Sequence, residues 1–258
     1  MCLILFAYRM HPQYRLIVAA NRDEYYGRPA APAGFWPDLP HILAGRDLEK
    51  MGTWMGVTKG GTFAAVTNYR NPAESTAGKR SRGELVARYL RDEPSPREYA
   101  DRLQEERSLY PGYNLIFGKG NELWYYSNVE NRPKTLAPGV YGLSNHLLDT
   151  GWPKVTAGKA ELERCLALQD EEALKSRLFR ILQNNDPAPD HLLPQTGVSV
   201  EWERILSPIF IRSESYGTRS STVLLMKADG LLFEERTFAA GSGPGETRSF
   251  RFGFRPSR

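Results

Sequence analysis

MCLILFAYR, at residues 1–9, opens the chain with a continuous apolar run. Residues 15–20, RLIVAA, form a second apolar run, and the turn-like His11-Pro12-Gln13 separates the two. Two such runs around a short turn predict a β-hairpin. Because neither run alternates apolar with polar residues, both strands are expected to be covered on their two faces.

The rest of the chain alternates between strand-like and helix-like patterns. A second hairpin is predicted at 53–58 and 62–67. Two capping boxes, Ser81 to Glu84 and Ser95 to Glu98, predict the starts of two helices. Residues 29–40 carry four prolines and are predicted to form a long loop. Further strands are predicted at 113–118, 122–127, 221–227, 231–238 and 247–254, and further helices at 157–167 and 171–182.

The order of these elements indicates an α+β fold. Groups of strands and helices alternate along the chain, and the hairpins favour antiparallel sheets. The continuous apolar strands need cover on both faces, so we predict two antiparallel sheets packed face to face with helices outside. No internal repeat or low-complexity linker divides the sequence, and residues 1–258 are therefore expected to form a single domain.

Composition and charge argue against several classes of protein. Hydrophobic residues make up 41% of the chain and charged residues 25%, as in an ordinary globular protein. The net charge of +4 is spread along the chain, which argues against a nucleic-acid partner. Two cysteines and four scattered histidines give neither a disulfide framework nor a zinc motif. Without a signal segment or a long apolar stretch, a cytoplasmic protein with no integral membrane association is expected.

Cys2 is one of only two cysteines, and removal of Met1 would make it the amino-terminal residue. An α-amino group has an ordinary pKa of about 7.7–8.0 and is partly neutral at physiological pH. It can then take the proton of the thiol on its own residue and generate a nucleophilic thiolate. The alternative is a small buried residue at the start of a strand, which is common for cysteine.

Four polar residues, Asn21, Arg22, Asp23 and Glu24, directly follow the second apolar run. A strand that ended there would place them at the rim of the sheet, beside the strand that begins at Cys2. A carboxylate in that position can accept hydrogen bonds from a protonated amino terminus. The alternative is a turn with a surface ion pair.

Polar residues border three further predicted strands. Asn68 and Asn145 each follow a strand, where an amide NH₂ group can donate to a developing oxyanion. Arg219 precedes the strand at Thr222, and a cation near Cys2 would favour the thiolate. Taken singly, each of these residues is more typical of a turn or an exposed surface. Their combination with a cysteine near the chain end favours an active site.

Six segments resemble, in order, the NRDE-motif family, whose animal members are the transport and Golgi organisation proteins. These segments are LIVAANRDEYYGRP (16–29), GTWMGVTKGGTFAAVTNYRNP (52–72), SRGELV (81–86), YNLIFG (113–118), YGLSNHLLDTGWPKV (141–155) and YGTRSSTVLL (216–225). The resemblance runs over essentially the whole chain. It implies an N-terminal nucleophile (Ntn) hydrolase-like fold of four layers, αββα, with helices on both sides of two packed antiparallel sheets.

Relatives of that fold with an amino-terminal cysteine include the bile-salt hydrolases and the penicillin V acylases. The resemblance implies Cys2 as nucleophile and Asp23 as the carboxylate that contacts the terminal amine. It also implies that Asn68 and Asn145 line the oxyanion. Arg219 would be the cation near the thiol.

One position departs from the pattern of those hydrolases. They carry an arginine three residues before the aspartate, where this chain has Ala20, and Arg22 is offset from that position. The electrostatic environment of the thiol is therefore expected to differ from theirs.

Two functions for one pocket follow from these residues and the resemblance. In the first, Cys2 attacks a small amide or thioester and water releases the acyl group, with no required cofactor. In the second, which the resemblance implies, the protein is a non-catalytic carrier of haem, or of acyl-CoA or lipid, and Arg22 or Arg219 meets haem propionates. A third alternative, a membrane-traffic scaffold, has no membrane helix or lipidation signal in its favour. The predicted ligand-binding residues are Asn21, Arg22, Glu24, Trp54, Tyr69 and Tyr216.

Overall fold

The computed structural model describes residues 2–239 and 244–254. Within these residues the chain forms two compact units, each built around one sheet. The first unit comprises residues 2–28, 138–239 and 244–251, and the second comprises residues 29–137 and 252–254. That residues 1–258 form a single domain stays a prediction. No helix of the described residues is long and apolar enough to cross a membrane.

The sheet of the first unit has six strands, numbered along the whole chain. These strands are β1 (Cys2–Tyr8), β2 (Leu16–Tyr25), β10 (Gly139–Leu143), β11 (Tyr216–Met226), β12 (Gly230–Phe238) and β13 (Pro244–Gly253). Their spatial order is β10-β1-β2-β11-β12-β13, so β2 lies between β1 and β11. The helices of this unit are α3 (Pro153–Cys165), α4 (Glu171–Leu182) and α5 (Val200–Leu206).

The two apolar runs near the start of the sequence form buried strands, as predicted. Every residue of β1 is buried, and so are the first six residues of β2. Alternate side chains of β1 pack in one hydrophobic core with Val155 and Leu162 of α3. The helix approaches the strand closely at Gly158, where a Cβ would come within 2.6 Å of Cδ1 of Leu5.

The sheet of the second unit has seven antiparallel strands that follow one another in chain order. They are β3 (Ala30–Phe35), β4 (Ile42–Asp47), β5 (Met55–Thr58), β6 (Thr62–Asn68), β7 (Tyr113–Lys119), β8 (Glu122–Ser127) and β9 (Lys134–Thr135). Helices α1 (Gly83–Asp92) and α2 (Pro96–Glu105) pack against this sheet. The core between them is rich in aromatic residues, among them Tyr89, Tyr99 and Phe117.

The prediction of a loop over the whole of residues 29–40 is wrong. β3 occupies Ala30–Phe35 at the edge of the second sheet and contains Pro32. The pairing of β3 with β4 shifts register between Ala31 and Gly34, so the proline lies at this irregularity. Proline has no N–H for a ladder, and an irregular edge strand is where a sheet tolerates it.

The predicted end of the second strand before Asn21 is also wrong. β2 continues to Tyr25, because neighbouring strands supply backbone partners on both sides of the polar residues. Arg22 lies opposite Cys2 of β1, and Asp23 lies opposite Thr218 of β11. For the same reason Arg219 lies inside β11 and not before it, since β11 begins at Tyr216.

One of the two predicted capping boxes is present. The N–H of Glu98 donates to the Ser95 hydroxyl, and the Glu98 carboxylate accepts from the Ser95 N–H. The box predicted at Ser81 is wrong, because α1 starts at Gly83 and Arg82 stands at its N-cap without a side-chain cap. The carboxylate of Glu84, which the box would need, pairs with Arg80.

The other helices differ in how well the sequence predicts them. α4 coincides with its predicted span of 171–182. α3 begins at Pro153 and not at 157, in agreement with the preference of proline for the first helical position. α5 has only seven residues, too few to give a clear helical period, and the sequence pattern does not predict it.

We expect Ser95→Ala to lower the free energy of unfolding by about 1 kcal/mol, because it removes a helix cap. Ser81→Ala is the matched control and should change that free energy by less than about 0.5 kcal/mol, because Ser81 caps no helix. Urea denaturation followed by circular dichroism measures both variants. Equal losses of stability would contradict this assignment of the caps.

Candidate functional site

Cys2 is the first residue of β1, and its side chain is buried in the first unit. Its thiol hydrogen bonds with the backbone of Asp23. Burial raises the pKa of the Cys2 thiol and the negative charge of Asp23 raises it further, while Arg22 lowers it. A base is therefore needed to generate the thiolate at neutral pH. The expected removal of Met1 lies outside the described residues.

Asp23 provides a buried carboxyl group next to Cys2. Its side chain is 1% exposed, and its Oδ1 accepts a 2.7 Å hydrogen bond from the Thr218 hydroxyl. The same hydroxyl accepts a 2.9 Å hydrogen bond from the N–H of Ile211, which fixes its orientation. Burial raises the pKa of the Asp23 carboxyl, while the positive charge of Lys154 and the bond from Thr218 lower it.

Lys154 is a residue of this site that the sequence analysis missed. It lies in the first turn of α3, is 5% exposed, and its Nζ donates a 2.9 Å hydrogen bond to the carbonyl oxygen of Leu206. Lysine is almost never fully buried without a partner, and the charge of Lys154 acts on Asp23. The sequence around Lys154 carries no signal for this role, because its partners Leu206 and Asp23 lie far away in the chain. A helix start at 157 also places Lys154 in a loop.

Asn145 lies near Cys2, whereas Asn68 belongs to the second unit. The Ser144 hydroxyl lies 3.2 Å from the carbonyl oxygen of Cys2 and 3.4 Å from Oδ1 of Asn145. Asn145 is completely buried, just beyond the end of β10, which pairs with β1. Asn68 is the last residue of β6 and pairs with Tyr113. The role of both amides at an oxyanion stays a prediction.

Asn21 ties distant segments of the first unit together. Its Nδ2 donates to the carbonyl oxygens of Leu182 and Ile209, each at 2.9 Å. Its Oδ1 accepts a 2.6 Å hydrogen bond from the Ser221 hydroxyl. Protein groups therefore occupy both ends of this buried amide, and the geometry gives Asn21 a structural role.

Charged side chains follow one another along the end of β2. Oε2 of Glu24 lies 3.7 Å from Nη2 of Arg22 and 4.0 Å from Nε of Arg28. Nη1 of Arg219 donates to the carbonyl oxygens of Tyr25 and Arg28, at 2.9 and 3.0 Å. Arg219 thus braces the segment that follows β2, and its effect on the Cys2 thiol stays a prediction.

The three aromatic residues predicted to contact a ligand lie in different units. Tyr216 begins β11 in the first unit, where its ring packs edge-on against Tyr25 at 5.2 Å and Trp202 at 6.3 Å. Trp54 is partly buried against the hydrophobic core of the second unit. Tyr69, also in the second unit, donates its backbone N–H to Gly112. Their contact with a ligand stays a prediction.

The first unit thus gathers a thiol, a carboxyl group and an amide at one end of neighbouring strands. Cys2 begins β1, Asp23 lies near the end of β2, and Asn145 follows β10. Because these strands are antiparallel, the three residues lie at the same end of the sheet. In the part of the chain that the structure describes, no cluster of histidine, cysteine or acidic side chains is arranged to hold a metal ion. Such a set of groups is suited to nucleophilic chemistry on a carbonyl.

Comparison with solved structures defines the class of protein. The chain is similar to the Caenorhabditis elegans N-acylethanolamine-hydrolyzing acid amidase (NAAA) ortholog, with a TM-score of 0.51. The sequence identity is 13%, and the match covers 87% of this chain and 92% of that protein. The likeness shows the fold, so this chain has an Ntn hydrolase-like α+β fold with two antiparallel sheets. The predicted fold class is confirmed.

Comparison of sequences then gives the family. The model of the family "Transport and Golgi organisation 2" matches residues 1–240. The Bos taurus Transport and Golgi organization protein 2 homolog is 39% identical over 269 residues, which cover 95% of each chain. The Homo sapiens homolog is 37% identical, over 98% of this chain and 99% of that protein. The chain belongs to the Transport and Golgi organisation 2 family, and the resemblance seen in the NRDE motif is confirmed.

We expect Thr218→Val to lower the free energy of unfolding by about 1–3 kcal/mol, because it removes the buried hydroxyl that donates to Oδ1 of Asp23 and accepts from the N–H of Ile211. The loss should be larger at pH 8 than at pH 5. The bond from Thr218 lowers the pKa of Asp23 and so stabilises the ionised carboxylate, which is the form favoured as pH rises.

Urea denaturation at the two pH values measures both effects. Thr218→Ser keeps the hydroxyl and is the matched control, which should recover most of the stability and the wild-type pH dependence. A loss in Thr218→Val that does not grow with pH would contradict the proposed bond to an ionised Asp23.

Proposed function

We propose that the protein is an acyl hydrolase in which Cys2, exposed as the amino-terminal residue by removal of Met1, attacks a small amide or thioester. The observation that carries this proposal is the place of Cys2 beside Asp23 at the end of the β1–β2 pair. A buried carboxylate is a suitable partner for a protonated terminal amine. The neutral form of that amine lies on the same residue as the thiol and can take its proton, and Asp23 then stabilises the ammonium that forms.

The reaction proceeds through an acyl-enzyme in this proposal. The terminal amine of Cys2 takes the thiol proton, and the sulfur forms a bond with the carbonyl carbon of the substrate. The amide of Asn145, in the same unit as Cys2, donates to the oxygen that becomes negative. The ammonium returns the proton to the leaving amine or thiol as the C–N or C–S bond breaks. Water then cleaves the thioester, giving a carboxylate and the free thiol.

The charges around Cys2 support a mechanism in which the thiol is the nucleophile and the terminal amine is its base. Arg22 lies opposite Cys2 and lowers the pKa of the Cys2 thiol. Arg22 thus provides a cation near the thiol, although this chain has Ala20 at the position where the bile-salt hydrolases and penicillin V acylases have an arginine. Asp23 raises the same pKa, so the thiolate forms only when a base takes the proton. The name of the Caenorhabditis elegans protein describes an amide hydrolase, which agrees with an amide as one substrate class for this chain.

Treatment with para-nitrophenyl acetate is expected to place one acetyl group on Cys2 and then release it to water, because a thiolate attacks an activated ester. The protein should first be shown by intact mass to begin at Cys2. Mass spectrometry before and after a brief exposure measures the adduct, and peptide mapping locates it.

Three variants make this experiment decisive. Cys165→Ala should retain the adduct, because that thiol lies in α3 and hydrogen bonds with the carbonyl oxygen of Glu161. Cys2→Ala and a form that retains Met1 should both lose the adduct. Acetylation of the form with Met1 at the wild-type rate would mean that the amine is not the base.

A non-catalytic carrier of haem, or of acyl-CoA or lipid, is the second candidate function for the same pocket. The observation in its favour is that Cys2, whose sulfur is a candidate ligand for haem iron, lies opposite the cation of Arg22. Arg22 and Arg219 provide cations suited to haem propionates. Under both proposals the protein acts in the cytoplasm.

A haem titration followed by the Soret band tests the carrier. A saturable shift that Cys2→Ala removes would support haem binding at this residue, since a thiolate can ligate haem iron. A shift equal to that given by an unrelated protein of similar size would exclude it. Because the acetyl adduct is measured without haem, the two candidate functions succeed or fail separately.

A further inference from the structure

A groove between α3 and α4 encloses a cavity of about 530 Å³. Both helices and the segment that follows α4 contribute to its walls, and all of its lining lies in the first unit. Cavities of roughly 300–1,000 Å³ are typical of sites for small molecules. The size of the groove is therefore suited to a small organic ligand.

Small side chains keep the groove open. Ala157 and Ala160 lie one turn apart on the face of α3 that lines the cavity, and both are exposed. Their methyl groups cannot fill the space toward α4. The buried side chains of Ile181 and Ile209 lie below and make the floor apolar. The groove therefore offers an apolar surface to a ligand.

Positive charge dominates the rim of the groove. Three arginines, Arg164, Arg177 and Arg180, and two acidic side chains, Glu161 and Asp186, line it. The carboxylate of Glu161 is shared between Arg164 and Arg177, the latter at 2.8 Å. The guanidinium of Arg180, next to the apolar floor, has neither an ion-pair nor a hydrogen-bond partner among residues 2–239 and 244–254. An anionic ligand group therefore finds an available guanidinium there.

Lys154 adds a buried cation to the lining. It is 5% exposed, and its Nζ bonds the carbonyl oxygen of Leu206. Its charge already acts on the buried carboxyl group of Asp23, so the arginines of the rim supply the positive charge that is available to a ligand. The excess of arginines over acidic side chains at the rim favours an anionic ligand.

We propose that this groove is a second binding site, for a small carboxylate with an apolar body. The apolar body lies on Ile181 and Ile209, and the carboxylate meets the planar guanidinium of Arg180, whose fork matches its two oxygens. An amine of the same size is disfavoured by the surplus of basic side chains. The site does not depend on the acyl hydrolysis proposed for Cys2.

Octanoate is the probe for this site, with octylamine, octanol, acetate and octyl phosphate as comparison compounds. Isothermal titration calorimetry should show binding of octanoate and at least about tenfold weaker binding of octylamine, octanol and acetate, since each lacks the carboxylate or the apolar body. Arg180→Gln should weaken octanoate about tenfold, because it removes the charge-assisted bonds. Ala160→Phe should abolish binding by filling the groove.

Arg132→Gln, an exposed arginine of the second unit, is the matched control and should leave octanoate binding unchanged. Arg180→Lys keeps the positive charge and should bind octanoate more tightly than Arg180→Gln does. These two variants test the proposal even if Ala160→Phe does not fold. Equal binding of octanoate and octylamine would overturn the proposal, as would unchanged octanoate affinity in Arg180→Gln. Much tighter binding of octyl phosphate would overturn the assignment to a carboxylate.

Discussion

The buried carboxyl group of Asp23 is the constraint on which the first unit depends. A charge that is taken out of water without compensation destabilises a protein by several kcal/mol, so neighbouring segments must supply partners. Thr218 of β11 supplies a hydroxyl and Lys154 of α3 supplies a positive charge. These partners come from parts of the chain far from β2. The same carboxyl group raises the pKa of the Cys2 thiol, so the packing of the unit and the chemistry of its cysteine are coupled.

Strand geometry explains why the NRDE motif serves two purposes. Side chains alternate between the two faces of a strand. Asn21 and Asp23 are accordingly buried and bonded within the unit, while Arg22 and Glu24 are partly exposed and form an ion pair. Asn21 also accounts for the end of α4, since it binds the carbonyl oxygen of Leu182, which has no partner inside the helix. Asn21 therefore holds the fold, while Asp23 and Arg22 both act on the Cys2 thiol.

One fold hosts many activities, so the function proposed for this member of the Transport and Golgi organisation 2 family rests on the residues around Cys2. The sequence places a thiol and a carboxylate together, and the register of β1 and β2 agrees with that placement. Lys154 and Thr218 escape sequence reasoning, since their importance depends on contacts across more than a hundred residues. Lys154 also lines the groove between α3 and α4, so one cation belongs to the surroundings of both proposed sites.

The sequence by itself determined the features that depend on neighbouring residues. The apolar runs of β1 and β2, the span of α4 and the cap at Ser95 need only local pattern and local hydrogen bonds. Tertiary structure decided the extent of β2 and the presence of β3. β2 runs through its polar residues because β1 and β11 pair with it, and an edge position lets β3 hold a proline. The physical reason is that a strand is completed by hydrogen bonds to distant segments, whereas a helix completes most of its own.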